Sequence, residues 1–180
     1  VSAALLDRGD EVVGVDNLND YYSPALKQAR LSQLTPRKGF VFHQIDIADH
    51  DGLAKAAGGG FDLIIHLAAQ AGVRYSLENP FAYARSNLDG QVSMLELARR
   101  LEIPHMVYAS SSSVYGANEK TPFAEDDRTD APVSLYGATK KSDELMSSAY
   151  ARLFKIPLTG LRFFTVYGPW GRPDMAYLIF

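Results

Sequence analysis

Short apolar runs alternate with helix-like segments along this chain, and that alternation constrains its fold more than any other feature of the sequence. The predicted strands cover residues 11–15, 40–45, 61–67, 106–110 and 158–164, and the predicted helices cover residues 1–8, 23–34, 49–57, 80–101 and 134–154. Strands that are separated by helices form mainly parallel sheets with helices packed on their faces. We therefore expect an α/β fold built on a doubly wound parallel sheet.

An acidic residue, Asp16, ends the first predicted strand. In dinucleotide-binding folds an acid at this place hydrogen-bonds both ribose hydroxyls of an adenosine and repels a 2′-phosphate, which favours NAD over NADP. The alternative interpretation is that Asp16 caps the loop that follows it. The same folds carry a glycine-rich turn about 20 residues before the acid. Counting back from Asp16 places that turn before Val1.

This count predicts a Rossmann-like sheet whose first strand is not among the residues of the chain. In a sheet ordered 3-2-1-4-5-6 that strand is central, so its absence leaves two unpaired edges. We therefore expect residues 1–180 by themselves to fold poorly, to bind NAD weakly and to be inactive.

Tyr136 and Lys140 stand four residues apart in the last predicted helix, downstream of four consecutive serines at positions 110–113. A spacing of four places both side chains on one face of a helix. An ammonium beside a phenol stabilises the phenolate, and a phenolate can take up and return the proton of a hydroxyl group. The pair therefore predicts oxidation of an alcohol by a nicotinamide. The alternative is an exposed helical tyrosine beside a solvated lysine.

Composition excludes several other classes of protein. The formal net charge of -3 and the lack of a basic patch argue against a nucleic-acid partner. The absence of cysteine excludes disulfides and a cysteine nucleophile, and it fits a reducing, cytoplasmic compartment. The histidines have no ligand spacing, so we expect no metal site. No apolar run approaches the ~20 residues of a membrane span, although a chain that begins with Val1 leaves room for an upstream segment or anchor.

Ordered segments across nearly the whole chain resemble the NAD-dependent nucleotide-sugar epimerase/dehydratase family, which are extended short-chain dehydrogenase/reductases. These segments are VVGVDNLNDYY, the DI at Asp46 and Ile47, IIHLAAQAGVRYS, NLDG, YASSSSVYG, YGATKK and LRFFTVYGPWGRPDMA. The last segment is most similar to that of UDP-glucuronate 4-epimerases. The resemblance implies a truncated NAD-binding domain over residues 1–164 and the start of a substrate-binding region over residues 165–180, without most of the C-terminal substrate domain.

The resemblance also implies a cofactor site for NAD. Its residues would be Asp16, Asn17, Asp46, Ile47, Leu67, Ala68, Ala69, Asn87, Tyr136, Lys140 and Phe163. The first two would meet the adenosine ribose and the next two the adenine, whereas Lys140 would reach the nicotinamide ribose. Asn87 would support the strand that carries the serines. For residues 67–69 the alternative is plain core packing.

The catalytic set implied by the resemblance is Ser111, Tyr136 and Lys140. Tyr136 would remove the proton of the C4 hydroxyl while hydride passes to NAD, and the 4-keto sugar would turn over before hydride and proton return, so that NAD is regenerated. Dehydratases of the superfamily carry an Asp-Glu pair where this chain has Ser112 and Ser113, and decarboxylating relatives carry an acid at the second of these places. The serines therefore favour simple epimerisation.

The implied substrate site consists of Ser111, Ser112, Ser113, Thr165 and Arg172. Thr165 and two of the serines would hold a uronate carboxylate through neutral hydrogen bonds, and Arg172 would meet the sugar or the diphosphate. We expect conversion of UDP-glucuronate to UDP-galacturonate. The alternatives left open are a UDP-glucose/UDP-galactose 4-epimerase and a non-catalytic nucleotide-sensing or scaffold protein. The resemblance further implies a homodimer through a four-helix bundle of the helix after Pro80 and the helix that bears Tyr136.

Overall fold

The computed structural model describes residues 1–175 and Leu178. Within them the strands are β1 (Val12–Asp16), β2 (Phe40–Gln44), β3 (Ile64–His66), β4 (Met106–Ser111) and β5 (Leu158–Phe163). The helices are α1 (Ser2–Arg8), α2 (Pro24–Leu31), α3 (His50–Ala57), α4 (Tyr75–Glu78), α5 (Pro80–Tyr83), α6 (Gly90–Arg100) and α7 (Leu135–Phe154). A π-helical segment (Ala84–Asp89) joins α5 to α6, and a 3₁₀ turn (Ser112–Tyr115) follows β4. None of the described helices is both long and apolar enough to cross a membrane.

The strands form two parallel sheets side by side. β1 pairs with β2 in the smaller sheet, and β4 lies between β3 and β5 in the larger one. In the order 3-2-1-4-5-6, β2 and β1 take positions 3 and 2, and β3, β4 and β5 take positions 4, 5 and 6. No strand of the described residues fills position 1, which would pair with both β1 and β3. The parallel α/β fold and its two unpaired edges are as the sequence predicts.

One apolar core connects the two sheets. Leu95 of α6 and Met106 of β4 are fully buried at its centre. Ile47 and Leu53 extend the same core toward β2 and α3, and Val15 of β1 packs against it. Side-chain packing, and not strand pairing, therefore joins the sheets in the described part of the chain.

Most helix ends lie at the residues that the sequence marks. Gly9 follows α1 with a φ of 96°, in the left-handed region that glycine adopts without strain. The side chains of Asp49 and Ser134 cap α3 and α7 by accepting hydrogen bonds from backbone N–H groups three residues on. α2 ends at Leu31, three residues before its predicted end.

The prediction of a single regular helix over residues 80–101 is wrong. A preceding turn, α4, is separated from α5 by Asn79, whose side chain accepts a hydrogen bond from the Ala82 N–H group. The π-helical segment then inserts an extra residue before α6. Such π-bulges are frequent at functional sites, and this one carries the buried Asn87.

The strand predicted over residues 61–67 is shorter than expected, since β3 comprises only Ile64–His66. Its first residue pairs with Met106, the first residue of β4. Residues 61–63 therefore have no neighbouring strand with which to pair, which shortens β3 at its beginning.

Candidate active site

The carboxyl ends of β1 to β5 open into one cavity of about 960 Å³. This volume lies near the upper end of the range of about 300–1,000 Å³ that is typical of ligand sites. In open parallel sheets ligands bind at this edge. The position and size of the cavity therefore suit a large ligand such as a dinucleotide with a sugar beside it.

All of the predicted site residues except one line this cavity. Those in the lining are Asp16, Asn17, Asp46, Ile47, Leu67, Ala68, Ala69, Ser111, Ser112, Ser113, Tyr136, Lys140, Phe163, Thr165 and Arg172. The exception is Asn87, which is 2% exposed and lies behind the cavity wall.

Asn87 fastens two parts of the wall together. Its side-chain oxygen accepts a hydrogen bond from the Gln70 N–H group at 2.8 Å, and its amide nitrogen donates to the Gln70 carbonyl at 3.1 Å and to Thr139 Oγ1 at 2.9 Å. It thus ties the segment after β3 to α7. The expectation that it supports the serine strand is wrong in this detail, since these bonds go to a different strand end and to the helix of Tyr136.

Tyr136 lies in the first turn of α7, and this helix packs against the 3₁₀ turn of Ser112–Tyr115 (the serine turn). Ser134 Oγ caps α7 by accepting a hydrogen bond from the Gly137 N–H group at 3.0 Å. A Cβ atom on Gly137 would lie only 2.8 Å from the carbonyl oxygen of Ser113. Glycine at this position therefore lets the helix approach the turn closely. The Tyr136 ring also packs edge-on against Tyr83, with 6.1 Å between the ring centres.

Ser110 and Ser111, the last two residues of β4, differ in their partners. Ser110 Oγ donates to Glu144 Oε1 at 2.7 Å, which attaches β4 to α7. Ser111 Oγ accepts a hydrogen bond from the Ser113 N–H group at 3.2 Å and caps the 3₁₀ turn. A hydroxyl that accepts in this way can still donate its hydrogen to a ligand. Ser111 thus meets the requirement for a neutral group that bridges a substrate hydroxyl and Tyr136.

Lys140 is almost completely buried and has an acidic partner that the sequence analysis missed. Its Nζ atom lies 2.8 Å from Oδ2 of Asp143, and the two side chains are 3% and 1% exposed. Burial raises the pKa of Asp143 to about 6, although the charge of Lys140 opposes the shift. Lys140 lines the cavity, and Asp143 lies behind it. The spacing of three on a helix was the available signal.

His66, at the end of β3, is a buried core residue. It is 6% exposed. Burial and the positive charge of Lys140 lower its pKa to about 3, so the ring is neutral at pH 7. His66 therefore adds no positive charge beside the ammonium group of Lys140 at that pH.

The ends of β1 and β2 present two carboxylates to the other end of the cavity. Oδ1 of Asp16 accepts a hydrogen bond from the Leu18 N–H group at 2.7 Å, which shapes the loop that follows. Oδ1 of Asp46 accepts from the Ala48 N–H group at 2.9 Å, and its other oxygen accepts from Arg85 at 3.1 Å. Burial opposes these bonds, but together they lower the pKa of Asp46. Carboxylate oxygens accept hydrogen bonds, as ribose and adenine contacts require.

Two basic residues of α2 were not singled out by the sequence analysis. Arg30 donates to the main-chain carbonyls of Trp170 and Gly171, at 2.6 and 3.1 Å, and Lys27 donates to Asn19 Oδ1 at 2.7 Å. All five residues line the cavity. α2 thus fastens the segment after β5 at the mouth of the cavity. Their spacing of three on an amphipathic helix was a weak signal, because surface helices often carry such pairs.

The segment after β5 carries the predicted sugar contacts. Thr165 is exposed in the cavity wall. Arg172 forms an ion pair with Asp174, at 3.0 Å between Nε and Oδ1. Asp174 in turn accepts a hydrogen bond from Tyr21 at 3.0 Å. The charge of Arg172 is therefore partly balanced before any ligand binds.

The residues present fit NAD at both ends of the cavity. A carboxylate acceptor follows β1, the small side chains of Ala68 and Ala69 follow β3, and hydroxyl and ammonium groups lie at the serine turn. Small side chains allow a ligand to approach the backbone closely. The sequence of residues 1–180 contains no G-x-x-G-x-x-G turn for the pyrophosphate. The chain thus offers adenosine and nicotinamide contacts from its own residues.

Known proteins share both the sequence and the fold. The model of the NAD dependent epimerase/dehydratase family matches residues 1–180. UDP-glucuronate 4-epimerase 1 of Arabidopsis thaliana is 56% identical over 182 aligned positions, which cover 100% of this chain and 42% of that protein. A probable UDP-glucuronate 4-epimerase of Rhizobium meliloti is 54% identical over 181 positions, covering 100% of this chain and 53% of its own.

Among solved structures, the UDP-glucuronic acid 4-epimerase of Bacillus cereus, in complex with UDP-glucuronic acid and NAD, superposes with a TM-score of 0.91 at 35% identity. The match covers 98% of this chain and 56% of that one. The chain therefore spans about half the length of the relatives that it matches.

Proposed function

The chain belongs to the NAD dependent epimerase/dehydratase family, and from that premise we propose that it inverts C4 of a UDP-sugar with the help of bound NAD. The specific reaction that we propose is conversion of UDP-glucuronate to UDP-galacturonate through a 4-keto intermediate. One observation carries the proposal: Ser111, Tyr136 and Lys140 line a single cavity at the carboxyl ends of the strands. A module that only binds nucleotides has little physical need for this combination.

NAD, when bound, supplies the acceptor and donor of hydride. The residues of the chain handle the proton. Tyr136 takes the proton from the C4 hydroxyl group and later returns it, and Ser111 bridges the two oxygens. Lys140, held in the cavity wall, stabilises the negative charge on the phenol oxygen and donates to the nicotinamide ribose. The same three groups serve both directions of the proton transfer.

The polar groups beside Ser111 favour epimerisation over elimination of water. Ser112 and Ser113 are neutral, and the acidic residues among the described lining residues are Asp16 and Asp46, at the ends of β1 and β2. Elimination across C5 and C6 requires an acid and a base close to those carbons. No carboxyl group of the described lining follows β4, where the serines lie.

UDP-glucuronate is the proposed substrate because three neutral hydroxyl groups in the cavity wall would suit its carboxylate. A 4-ketouronic acid is a β-keto acid and loses CO₂ when the bond from C5 to the carboxylate aligns with the ketone π system. Thr165, Ser112 and Ser113 would hold the carboxylate out of that alignment. The relative from Arabidopsis thaliana is named a UDP-glucuronate 4-epimerase and that from Rhizobium meliloti a probable one. A UDP-glucose/UDP-galactose 4-epimerase would have no use for such a clamp.

We also propose that residues 1–164 form the NAD-binding unit, that residues 165–180 begin the substrate-binding region, and that the protein is a homodimer through a four-helix bundle. What supports the dimer is an exposed apolar surface on the helices concerned. Phe81 of α5 is 83% exposed, and Leu145 of α7 is 61% exposed. Large apolar side chains exposed on both helices suit helix packing against a second copy.

The proposed function is tested by adding UDP-glucuronate to the complete protein and following the sugar by proton NMR. Appearance of UDP-galacturonate without net consumption of NAD supports the proposal. Conversion of UDP-glucose to UDP-galactose, with UDP-glucuronate unchanged, would select the alternative substrate. Binding of nucleotide sugars without any turnover would identify a sensing or scaffold protein.

A further inference from the structure

Lys140 and Asp143 form a buried ion pair of which only one member meets the cavity. The pair lies on one side of α7, and both residues are nearly inaccessible to solvent. Lys140 belongs to the cavity lining, whereas Asp143 is in the layer behind it. The carboxylate can therefore influence a ligand only through the ammonium group in front of it.

The charges around Asp143 leave Lys140 as its cationic partner among the described residues. On α7 the neighbouring Glu144 is itself engaged by Arg162, at 2.9 Å. His66 on β3 faces Lys140 as a neutral ring, because burial and the charge of Lys140 lower its pKa to about 3. Tyr108 approaches from β4 as a neutral phenol, because burial raises its pKa. Within the described residues, Oδ1 of Asp143 has no hydrogen-bond partner, so its charge is balanced through Oδ2 alone.

We propose that Asp143 is a positioning residue that acts through Lys140 and balances the positive charge which the cavity presents to the nicotinamide. This inference rests on the proposed function, because it takes Lys140 to lie beside the nicotinamide ribose. The nicotinamide ring is a cation in NAD and neutral in NADH. An ammonium group that is balanced by a carboxylate tolerates the cation, and an unbalanced one repels it. Asp143 thus favours the oxidised cofactor.

The protonation of Asp143 gives this balance a direction with pH. Burial raises the pKa of Asp143 to about 6. Above that pH the carboxylate is charged and the affinity for NAD is retained. Below it the carboxyl group is neutral, the ammonium charge is unbalanced, and the affinity for NAD falls relative to that for NADH. The oxidised cofactor is therefore held best at neutral and alkaline pH.

The test is the ratio of the dissociation constants of NAD and NADH in the complete protein. NADH binding is followed by its fluorescence, and NAD is measured by competition. In Asp143→Asn the ratio should rise about tenfold, because one charge a few ångströms from the ring is no longer balanced. Asp143→Glu, which keeps the carboxylate, should restore the ratio. Glu96→Gln removes the same charge from α6 outside the cavity lining and should leave the ratio unchanged.

A double-mutant cycle shows whether the effect passes through the lysine. In a Lys140→Met background, Asp143→Asn should no longer change the ratio. An unchanged ratio in a folded Asp143→Asn protein, or the same change in both backgrounds, would overturn the inference. If Asp143→Asn does not fold, the wild-type ratio between pH 8 and 5 decides: a rise through about pH 6 supports the inference, and a flat profile refutes it.

The outcomes separate the inference from the proposed function. A shift of the ratio in a protein that turns over no UDP-sugar would refute the proposed reaction alone. Normal turnover without the shift would refute the role of Asp143 alone. Failure of the complete protein to bind either dinucleotide would overturn both.

Discussion

The two sheets face the same cavity but differ in how firmly they are built. β4, at the centre of the larger sheet, has a hydrogen-bonded strand on each side and contributes the fully buried Met106 to the core. β1 and β2 pair only with each other in the described residues, and Val13 and Val41 on them are 37% and 51% exposed. Of the groups proposed for proton transfer, Ser111 ends β4, and Tyr136 and Lys140 lie on α7, which packs on the larger sheet. The groups proposed for adenosine lie at the ends of the smaller sheet.

Each part of the site therefore has the rigidity that its proposed task requires. Proton transfer requires atoms to be held within a few tenths of an ångström. The buried hydrogen bonds of Asn87 and the close packing at Gly137 hold α7 in this way. Recognition of a ribose by carboxylate oxygens tolerates more movement, because binding alone does not require reacting atoms to be aligned.

Tyr136→Phe should have the largest effect. It removes the group that carries the proton, so turnover of UDP-glucuronate should fall about a thousandfold while NAD affinity stays within about twofold. NMR rates and NADH competition titrations measure the two quantities. Tyr75→Phe is the matched control, because its hydroxyl bonds only Asn79 at the surface among the described contacts. Turnover by the Tyr136 variant at a normal rate would remove this residue from the proton transfer.

Hydrogen exchange should separate the two sheets directly. We expect the backbone amides of β4 to exchange about a hundredfold more slowly than those of β1, because opening β4 exposes the core and opening β1 does not. Mass spectrometry of the complete protein measures both strands in one experiment. Equal protection of β1 and β4 would mean that the two sheets open as one unit and do not differ in local stability.

Gly137→Ala tests the close approach of α7 to the serine turn through the sign of its effect. In an ordinary helix this change stabilises by up to about 1 kcal/mol. Here the added Cβ atom would meet the Ser113 carbonyl oxygen at 2.8 Å, so the free energy of unfolding should instead fall by about 2 kcal/mol. Urea denaturation measures it. Ser148→Ala, on the exposed side of α7, should change stability by less than about 0.5 kcal/mol.

Asp16→Asn tests the smaller sheet. The substitution weakens a charged acceptor for the ribose hydroxyls, so NAD affinity should fall about tenfold, and the preference for NAD over NADP should narrow. Competition titrations with both dinucleotides measure this. Asp20→Asn removes a nearby charge outside the cavity lining and serves as the control. An unaltered preference would return Asp16 to the role of a loop cap.

Thr165→Ala should have the smallest effect on rate and the most specific effect on product. Without this hydroxyl the carboxylate of the keto intermediate is held less firmly, and a pentose side product should increase about threefold. NMR detects the pentose nucleotide directly. Val166→Ala, in the adjacent lining position, should leave the product ratio as in the wild type. No change in the pentose fraction would remove Thr165 from this role.

The sequence was sufficient to bring the main site residues together. Asp16, Asp46 and Ser111 follow three different strands, and the carboxyl ends of parallel strands meet at one edge of a sheet. Tyr136 lies in the same cavity because Gly137, the residue after it, permits close packing of α7. In the sequence Gly137 is one of several small residues, and nothing there marks this close contact. The placement of these groups is therefore a property of the strand order more than of any single motif.

Other features depend on tertiary structure in ways that a single sequence does not reveal. The acidic partner of Lys140 has the spacing of an ordinary surface ion pair, and only the packing of α7 against the sheet makes it buried. The π-helical segment interrupts a periodic apolar pattern by one residue, which is within the variation of normal helices. The prediction placed the start of β3 three residues too early, because the length of a strand depends on where its neighbouring strand begins.

Arg30 fastens the segment after β5 by binding the main-chain carbonyl oxygens of Trp170 and Gly171. Every amino acid carries the same carbonyl group, so this attachment does not depend on which side chains the segment bears. The position of this segment at the mouth of the cavity therefore does not depend on the side chains that the segment carries. Related chains can exchange the side chains that face the sugar, and so acquire new substrates, while the segment remains docked on α2.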